Sequence, residues 1–223
     1  MPRLWTENPL LAAVYDVECA GRWDHGFYLD LAEELGAHSV VDIGCGTGVF
    51  AVDLARRGHQ VIGVDPAGPM LDIARQRSAL GPTVHWIHGH ADDVPTGSAD
   101  LAVMMGHVAQ YFVDDEDWTS ALRQIHRIVT HGGRLTFETR NPAIDWAKQW
   151  KREKTIATYP HPEGGEFTSW VEVVSVTGAP ESYALTHEGH TRFPDGRHLV
   201  ASETLRFRSE GELLMSLQEA GFD

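Results

Sequence analysis

Glycines clustered after an apolar run are the first residues whose spacing points to chemistry. Gly44, Gly46 and Gly48 occupy three of five successive positions directly after that run. This pattern predicts a tight turn from a strand into a helix. Glycine has no Cβ, so the backbone of such a turn can approach a ligand closely. The first amides of the following helix then favour an anionic or polar ligand group.

Two aspartates accompany the turn. Asp42 lies inside the apolar run, where a carboxylate is costly unless a cationic or hydrogen-bonding group meets it. Asp65 ends the next apolar run, at the spacing at which an acid accepts both hydroxyls of a ribose. A dinucleotide-binding fingerprint would place its third glycine near Val49 and would give Asp42 no role. The pattern therefore disfavours a nicotinamide-dependent oxidoreductase.

The glycine turn and the acid before it resemble the first motif of the class I S-adenosylmethionine-dependent methyltransferases. The resemblance is good over residues 38–142 and implies a Rossmann-like fold that binds S-adenosylmethionine and releases S-adenosylhomocysteine. It implies that Asp42 holds the methionine amino group. The turn of Gly44, Cys45 and Gly46 is implied to admit the amino-acid and ribose portions. The alternative is that Asp42 is a capped structural acid.

The same resemblance implies further contacts to the cofactor. Asp65 is expected to take the ribose hydroxyls, with Pro66 and Met70 beside it against the adenine. Met70 has the alternative of packing in a helix core. Gly106, at the end of the fourth predicted strand, is expected to permit close approach on the sulfonium side of the cofactor.

The loop after the third predicted strand departs from the family pattern. His90 stands where similar methyltransferases usually carry an acid that meets the adenine amino group. Ala91 is therefore expected to contact the cofactor through its backbone, and Asp92 is expected to act as the substitute acceptor. His88 and His90 can share one face of a strand, but no third ligand lies near them in sequence. No metal is expected.

Methyl transfer requires mainly that the protein align the nucleophile, the methyl carbon and the sulfur, because the sulfonium already activates the methyl group. A base is needed only where the acceptor atom is protonated. His107 is the first candidate, because the ordinary pKa of histidine lies near the working range. Tyr111 is the second, and the alternative for both is that they only shape the pocket. Cys45 is expected to be a small packing residue rather than a catalytic thiol.

Acceptor recognition is assigned to residues outside the cofactor contacts. Arg140 and Asn141 follow the fifth predicted strand, above the expected pocket. Arg140 either pairs with a substrate carboxylate or phosphate, or ties the following segment to the sheet. Tyr15 belongs to a helix that lies over the cofactor in similar proteins. It either reaches a ligand or packs its ring on the sheet.

Alternating strands and helices must position these residues. Between Ser39 and Thr139 the pattern predicts a doubly wound, mostly parallel α/β sheet with helices on both faces. Strands are predicted at 39–43, 61–64, 83–88, 100–105 and 134–139. The clearest helix is 115–129, whose apolar residues form one stripe after an acidic first turn. The segment 131–133 is expected to end that helix.

Four regions are predicted along the chain: a helical cap at 1–37, the cofactor-binding core at 38–142, an inserted antiparallel meander at 143–208, and a final stretch at 209–223. The cap is expected to hold two short helices broken near 21–24. The inserted region is expected to begin with one helix at 142–153 and to continue with strands near 167–176, 183–193 and 197–207.

The predicted last helix, at 209–220, returns to the core. In similar proteins two more strands follow such a helix and complete a seven-stranded sheet. Either the sheet is short in this protein, or the sequence is a fragment.

Composition limits the classes of function. The chain has 223 residues, 42% of them hydrophobic, which is enough for one domain with a sizeable core. Its formal net charge of −14 argues against a nucleic-acid partner, which requires a basic face. Two cysteines and the lack of a signal-like or membrane-length apolar run predict a cytoplasmic protein without membrane contact. A monomer or homodimer is expected.

These observations predict an S-adenosylmethionine-dependent methyltransferase that moves a methyl group to an oxygen, nitrogen or carbon of a small-molecule acceptor. The alternative is a non-catalytic S-adenosylmethionine-binding or interaction protein of the same fold, because nothing in one sequence separates binding from turnover.

Overall fold

A five-stranded parallel sheet forms the centre of the protein. The computed structural model describes residues 5–21, 24–79 and 81–223. The strands of this sheet are β1 Ser39–Ile43, β2 Gln60–Asp65, β3 Val84–His88, β4 Ala99–Met104 and β5 Val129–Phe137. Their order is β3-β2-β1-β4-β5, with every neighbouring pair parallel. The order reverses between β1 and β4, which is where sheets of this kind bind ligands.

Helices cover both faces of this sheet. The helices that do so are α2 Asp24–Glu34, α3 Val49–Arg56, α4 Gly68–Ser78, α5 Asp115–Ile128 and α8 Glu210–Glu219. Helices α1 Pro9–Glu18, α6 Trp146–Gln149 and α7 Arg152–Thr155 contact the second sheet described below. Val40 and Leu101 belong to a core cluster with α2 and α3, whereas Val41 and Ala102 belong to one with α5 and α8. Adjacent residues of a strand face opposite sides of the sheet. The predicted doubly wound α/β fold is therefore confirmed.

Helix α5 is held against the sheet by one apolar stripe. Trp118, Leu122, Ile125 and Ile128 are at most 1% exposed, and they recur at the three- and four-residue spacing of one helix face. The acidic residues of its first turn suit the positive end of the helix dipole. The observed helix agrees with the predicted one to within one residue.

The predicted end of that helix was wrong in its detail. The segment 131–133 was expected to separate helix from strand, but β5 begins at Val129, directly after α5. Ala99 pairs with Val129, and Leu101 pairs with Arg134, so the register shifts and the extra residues bulge out of the ladder. A bulge accommodates glycines without ending the strand. The strand ends at Phe137, two residues before the predicted end at 139.

A second, antiparallel sheet follows β5. Its strands are β6 Ala157–Pro160, β7 Glu166–Ala179, β8 Ser182–Arg192 and β9 His198–Phe207, in that spatial order. The three predicted runs are present, and the short β6 is an addition. It pairs with the start of β7, so that the two strands form a hairpin. Gly196 closes the turn before β9 by donating its N–H to the Phe193 carbonyl.

The helix predicted at 142–153 is instead two single turns, α6 and α7. The chain bends at Trp150, which has φ −89° and ψ 65°. This bend lets both Trp146 and Trp150 pack on Phe207 of β9. Burial of these rings outweighs continuation of an exposed helix.

Helix α1 lies between the two sheets. Leu11 and Val14 pack against Phe167 and Phe193 of the antiparallel sheet, while Ala12 packs against α4. The predicted break between the two N-terminal helices falls at 21–24, of which residues 22 and 23 lie outside the described part of the chain. Within the described residues, no helix has both the length and the apolar composition needed to span a bilayer.

Gly48 provides a test of how the turn after β1 is packed. Its φ is +74°, and a Cβ added there would lie 2.5 Å from the Trp86 ring and 2.8 Å from Ala74. Gly58 also has positive φ, +97°, but a Cβ there would meet nothing within 4 Å. We expect Gly58→Ala to lower the free energy of unfolding by about 1–2 kcal/mol through backbone strain alone. Gly48→Ala should lower it by about 1–3 kcal/mol more through overpacking.

Urea denaturation of both variants measures this difference. Equal losses of stability in the two variants would show that Trp86 and Ala74 do not constrain the turn.

Candidate functional site

A cavity of about 960 Å³ opens where the parallel strands end, between α1 and the first turns of α5. Its volume is at the upper end of the range for small-molecule sites. Most of the residues singled out in the sequence line it: Tyr15, Asp42, Gly44, Cys45, Gly46, Asp65, Pro66, Met70, His90, Ala91, Asp92, Gly106 and Tyr111. His107, Arg140 and Asn141 do not appear in its wall.

Asp65 holds the glycine turn to the end of β2. One carboxylate oxygen accepts the N–H of Gly46 at 2.8 Å, and the other accepts the N–H of Ala67 at 2.8 Å. Burial raises the pKa of Asp65, and these two hydrogen bonds oppose the rise. Each carboxylate oxygen has a further lone pair, so the side chain retains capacity to accept hydroxyl donors from the cavity.

Asp42 faces the same cavity from the adjacent strand. It is only 2% exposed, and its register partners are Gly63 on β2 and Val103 on β4. Between Asp42 and Asp65 the turn is open, because a Cβ placed on Gly46 would meet nothing within 4 Å. Two carboxylates and an uncovered backbone bend therefore converge on one space. This donor set fits a ligand that carries an ammonium or sulfonium group and a sugar.

Cys45 lies behind the turn as a packing residue. Its side chain belongs to a cluster with Leu71 and Ala74 of α4. Burial, with the nearby carboxylates of Asp42 and Asp65, raises the pKa of Cys45 well above its ordinary value. A thiol that stays protonated is a poor nucleophile.

Helix α1 is bound to the turn by hydrogen bonds of Asp16, which was not predicted from the sequence. We call this contact the Asp16 clasp. One Asp16 oxygen accepts the Thr47 hydroxyl at 2.6 Å, and the other accepts a hydrogen bond from Arg77 of α4. The Arg77 Nε donates to the Thr47 carbonyl at 3.0 Å. Asp16 and Thr47 both line the cavity. No local pattern marks this clasp, because its members come from three separate elements.

Glu138, directly after β5, organises the end of β4. One of its oxygens accepts the backbone N–H groups of Gly106 and His107, and the other accepts the Tyr28 hydroxyl. His107 is held with φ +64°, in the left-handed region. The signal that identified Asp65, an acid at the end of an apolar run, was also available for Glu138.

Tyr111 connects the cavity to the antiparallel sheet. Its hydroxyl donates to Glu203 Oε2 of β9 at 3.2 Å, and Glu203 is 9% exposed. Although 42% of the Tyr111 surface is accessible, the surrounding protein and the Glu203 carboxylate raise the pKa of Tyr111 well above 10. His187 Nε2 of β8 lies 3.9 Å from the same Glu203 oxygen. Burial first, and then Arg140, lower the pKa of His187 to about 4.

Arg140 contacts protein groups at the junction of the two sheets. Its guanidinium donates to Gln110 Oε1 at 2.7 Å and lies 4.9 Å from the centre of the Trp150 ring. Gln110 is fully buried and donates to the Arg206 carbonyl of β9. These contacts support the alternative in which Arg140 ties the inserted region to the core.

Asn141 shapes the loop after β5. Its side-chain oxygen accepts the Ala143 N–H at 2.9 Å, and its carbonyl accepts the Trp146 indole N–H at 2.9 Å. This loop geometry directs the chain into α6.

The histidines at the end of β3 and in the loop that follows have local roles in the fold. His90 donates its N–H to the Asp93 carboxylate, and the two residues form a capping box. His88 Nε2 lies 3.0 Å from the Pro66 carbonyl. Across the described ranges, no group of three or more histidine, cysteine or acidic side chains is arranged to hold a metal ion.

Comparison with known proteins gives one family. Residues 40–133 match the family of methyltransferase domains. An uncharacterized methyltransferase of Mycobacterium tuberculosis is 34% identical over 111 residues, which are 50% of this chain and 55% of that protein. A ubiquinone/menaquinone biosynthesis C-methyltransferase of Rubrivivax gelatinosus is 29% identical over 183 residues, 80% of this chain and 65% of that protein. This chain thus spans about half the length of the Mycobacterium relative.

The fold is shared with solved structures. The sugar N-methyltransferase KedS8 of Streptoalloteichus superposes with a TM-score of 0.69 at 21% identity, over 93% of this chain and 84% of that one. The motif around β1, the strand order and these matches agree. Residues 40–133 are thus similar to methyltransferase domains, and the chain as a whole shares its fold with solved methyltransferases.

The low pKa of His187 predicts a specific acid sensitivity of the fold. Its pKa falls from 6.5 to about 4 on folding. Between pH 6.5 and 5, His187 therefore binds a proton more readily in the unfolded chain than in the folded one. We expect this residue to remove about 2 kcal/mol of stability over that interval. The contribution is fully present above pH 6.5 and is lost as the pH falls.

Urea denaturation at pH 7.5 and pH 5 tests this effect. His187→Gln should lose less stability on acidification than the wild type. His131→Gln, which changes an exposed histidine, serves as the control and should keep the wild-type slope. An unchanged slope in His187→Gln would mean that His187 titrates normally in the folded protein.

Proposed function

We propose that this protein is an S-adenosylmethionine-dependent methyltransferase that acts on a small-molecule acceptor. One observation carries the proposal: the carboxylates of Asp42 and Asp65 line a single cavity on either side of an open backbone bend at Gly46. A buried carboxylate without a cationic ligand is costly. A sulfonium nucleoside with an amino group and two ribose hydroxyls meets both acids at once.

The proposal assigns roles to the residues around this space. Asp42 holds the amino group of the amino-acid portion, and Asp65 accepts the ribose hydroxyls. The turn of Gly44, Cys45 and Gly46 admits the chain between them. The predicted adenine and sulfonium contacts are Pro66, Met70, His90, Ala91, Asp92 and Gly106, all of which border the cavity.

When bound, the cofactor supplies an activated methyl group. The residues of the chain then have to align the acceptor, exclude water and leave room for the transfer. Tyr15 and Tyr111 border the space that remains for an acceptor. His107 lies outside the cavity wall, so its assignment as a base receives no support from the geometry.

The alternative is a protein that binds the cofactor without turnover. Release of S-adenosylhomocysteine in the presence of any acceptor would exclude it. The charge of the cavity favours an enzyme that accepts neutral or cationic small molecules over one that accepts a phosphate backbone.

Calorimetric titration with S-adenosylhomocysteine tests the cofactor site. Asp65→Ala should weaken binding by about tenfold to a hundredfold, because it removes charge-assisted hydrogen bonds. Asp72→Ala removes the same charge from an exposed position on α4 and should bind as the wild type does. Circular dichroism monitors the folding of both variants.

Lack of binding by the intact protein, or equal affinity in wild type and Asp65→Ala, would contradict the proposed function. Gly46→Ala gives a second test, because its added methyl group meets no atom within 4 Å and the only cost to folding is the backbone strain of its positive φ, +54°. It should remain folded and bind the ligand more weakly.

A further inference from the structure

The Tyr111 hydroxyl is a hydrogen-bond donor to the protein. It carries one proton, and that proton is donated to Glu203 on β9. Tyr111 lines the cavity, so a cavity ligand that reaches its phenol oxygen meets only lone pairs there. A group that binds there must itself donate a hydrogen bond.

The surroundings of Tyr111 keep its proton in place. Four groups act on it: Glu203 of β9, Tyr15 of α1, Arg140 after β5, and, through Glu203, His187 of β8. Burial and Glu203 raise the pKa of Tyr111, and Arg140 opposes them with the smallest effect. His187 has a pKa of about 4 and is neutral near pH 7. Tyr111 is thus a hydrogen-bonding phenol at neutral pH rather than a base.

The charge of the cavity wall limits the acceptor further. Among the described residues that line it, five are aspartates and none is lysine or arginine: Asp16, Asp42, Asp65, Asp92 and Asp117 are the acids. Arg140 is held by Gln110 outside that wall. A carboxylate or phosphate acceptor would meet these acids without a lysine or arginine in the described part of the wall to offset their charge.

We propose that Tyr111 and Glu203 form a hydrogen-bond-accepting subsite that receives the N–H of an amine acceptor. This inference rests on the proposed function and names its substrate class. Tyr111 contacts the acceptor, whereas Glu203 is a positioning residue that acts through Tyr111.

The reaction balances without a base on the protein. The nitrogen lone pair forms the new N–C bond while the C–S bond breaks and its electron pair stays on sulfur. The positive charge moves from sulfur to nitrogen, where the N–H donated to Tyr111 becomes a stronger hydrogen bond. The methylated ammonium product loses its proton to solvent after release. An alcohol, in contrast, would need a base to remove its proton.

Matched aromatic amines test the subsite. Aniline and N-methylaniline carry an N–H, N,N-dimethylaniline does not, and all three are uncharged at pH 8. Their binding to the full chain saturated with S-adenosylhomocysteine is measured by calorimetry. We expect the two N–H donors to bind about tenfold more tightly than the tertiary amine, the effect of one hydrogen bond.

Three variants show which residues produce the preference for amines that carry an N–H. Tyr111→Phe should abolish it, because the ring remains but the oxygen is lost. Glu203→Gln should reduce it, because an amide can donate as well as accept and can release the Tyr111 proton toward the cavity. Ser202→Ala, on the opposite face of β9, should keep it. A purely structural role of Glu203 would weaken the binding of all three amines alike in Glu203→Gln, whereas loss of the Tyr111 hydrogen-bond polarity should weaken only the two N–H donors.

Turnover gives an independent readout. With S-adenosylmethionine, mass spectrometry should detect mono- and dimethylated products and no quaternary ammonium, because a tertiary amine has no N–H to donate.

The outcomes separate the two levels of inference. Failure of the wild type to bind S-adenosylhomocysteine would contradict the proposed function. Normal binding of S-adenosylhomocysteine, combined with equal or absent binding of the three amines, would overturn the amine subsite alone. A preference that survives in Tyr111→Phe would also overturn it.

Discussion

The pair of hydrogen bonds that Asp65 accepts is the constraint on which the site depends. A carboxylate at the end of β2 fixes the N–H of Gly46 and the N–H of Ala67, so it sets the turn after β1 and the start of α4 together. This turn requires positive φ at its glycines. The Trp86 ring fills the space beside Gly48. Strand ends, turn and helix are thus positioned as a unit before any ligand arrives.

The α/β core was predictable from local sequence because its signals are local. The apolar run before Gly44, the acid at 65 and the stripe along α5 each act within one or two elements. Prediction from local sequence failed where one residue type is compatible with two local structures. Glycines at 132 and 133 can end a helix or bulge a strand, and here the pairing with β4 decided for the bulge.

The contacts around Tyr111 and Gln110 were harder to predict, because each joins residues that are far apart in the sequence. Tyr111 and Glu203 are 92 positions apart, and Gln110 and Arg206 are 96 apart. No periodicity relates such positions, since the antiparallel sheet brings them together only after both sheets have formed. Arg140 shows the consequence. Its charge and place suggested a ligand contact as readily as a structural tie, and only its partners favour the tie.

The Asp16 clasp gives the first helix a role beyond covering the ligand. Asp16 is bonded to the turn through Thr47 and to α4 through Arg77, while the opposite side of the helix completes the apolar interior of the antiparallel sheet through Leu11 and Val14. Helix α1 is therefore a joint between the two halves of the molecule. Any displacement of this helix away from the cavity would have to break its contacts with the turn and with the antiparallel sheet together, so the two halves cannot release it independently.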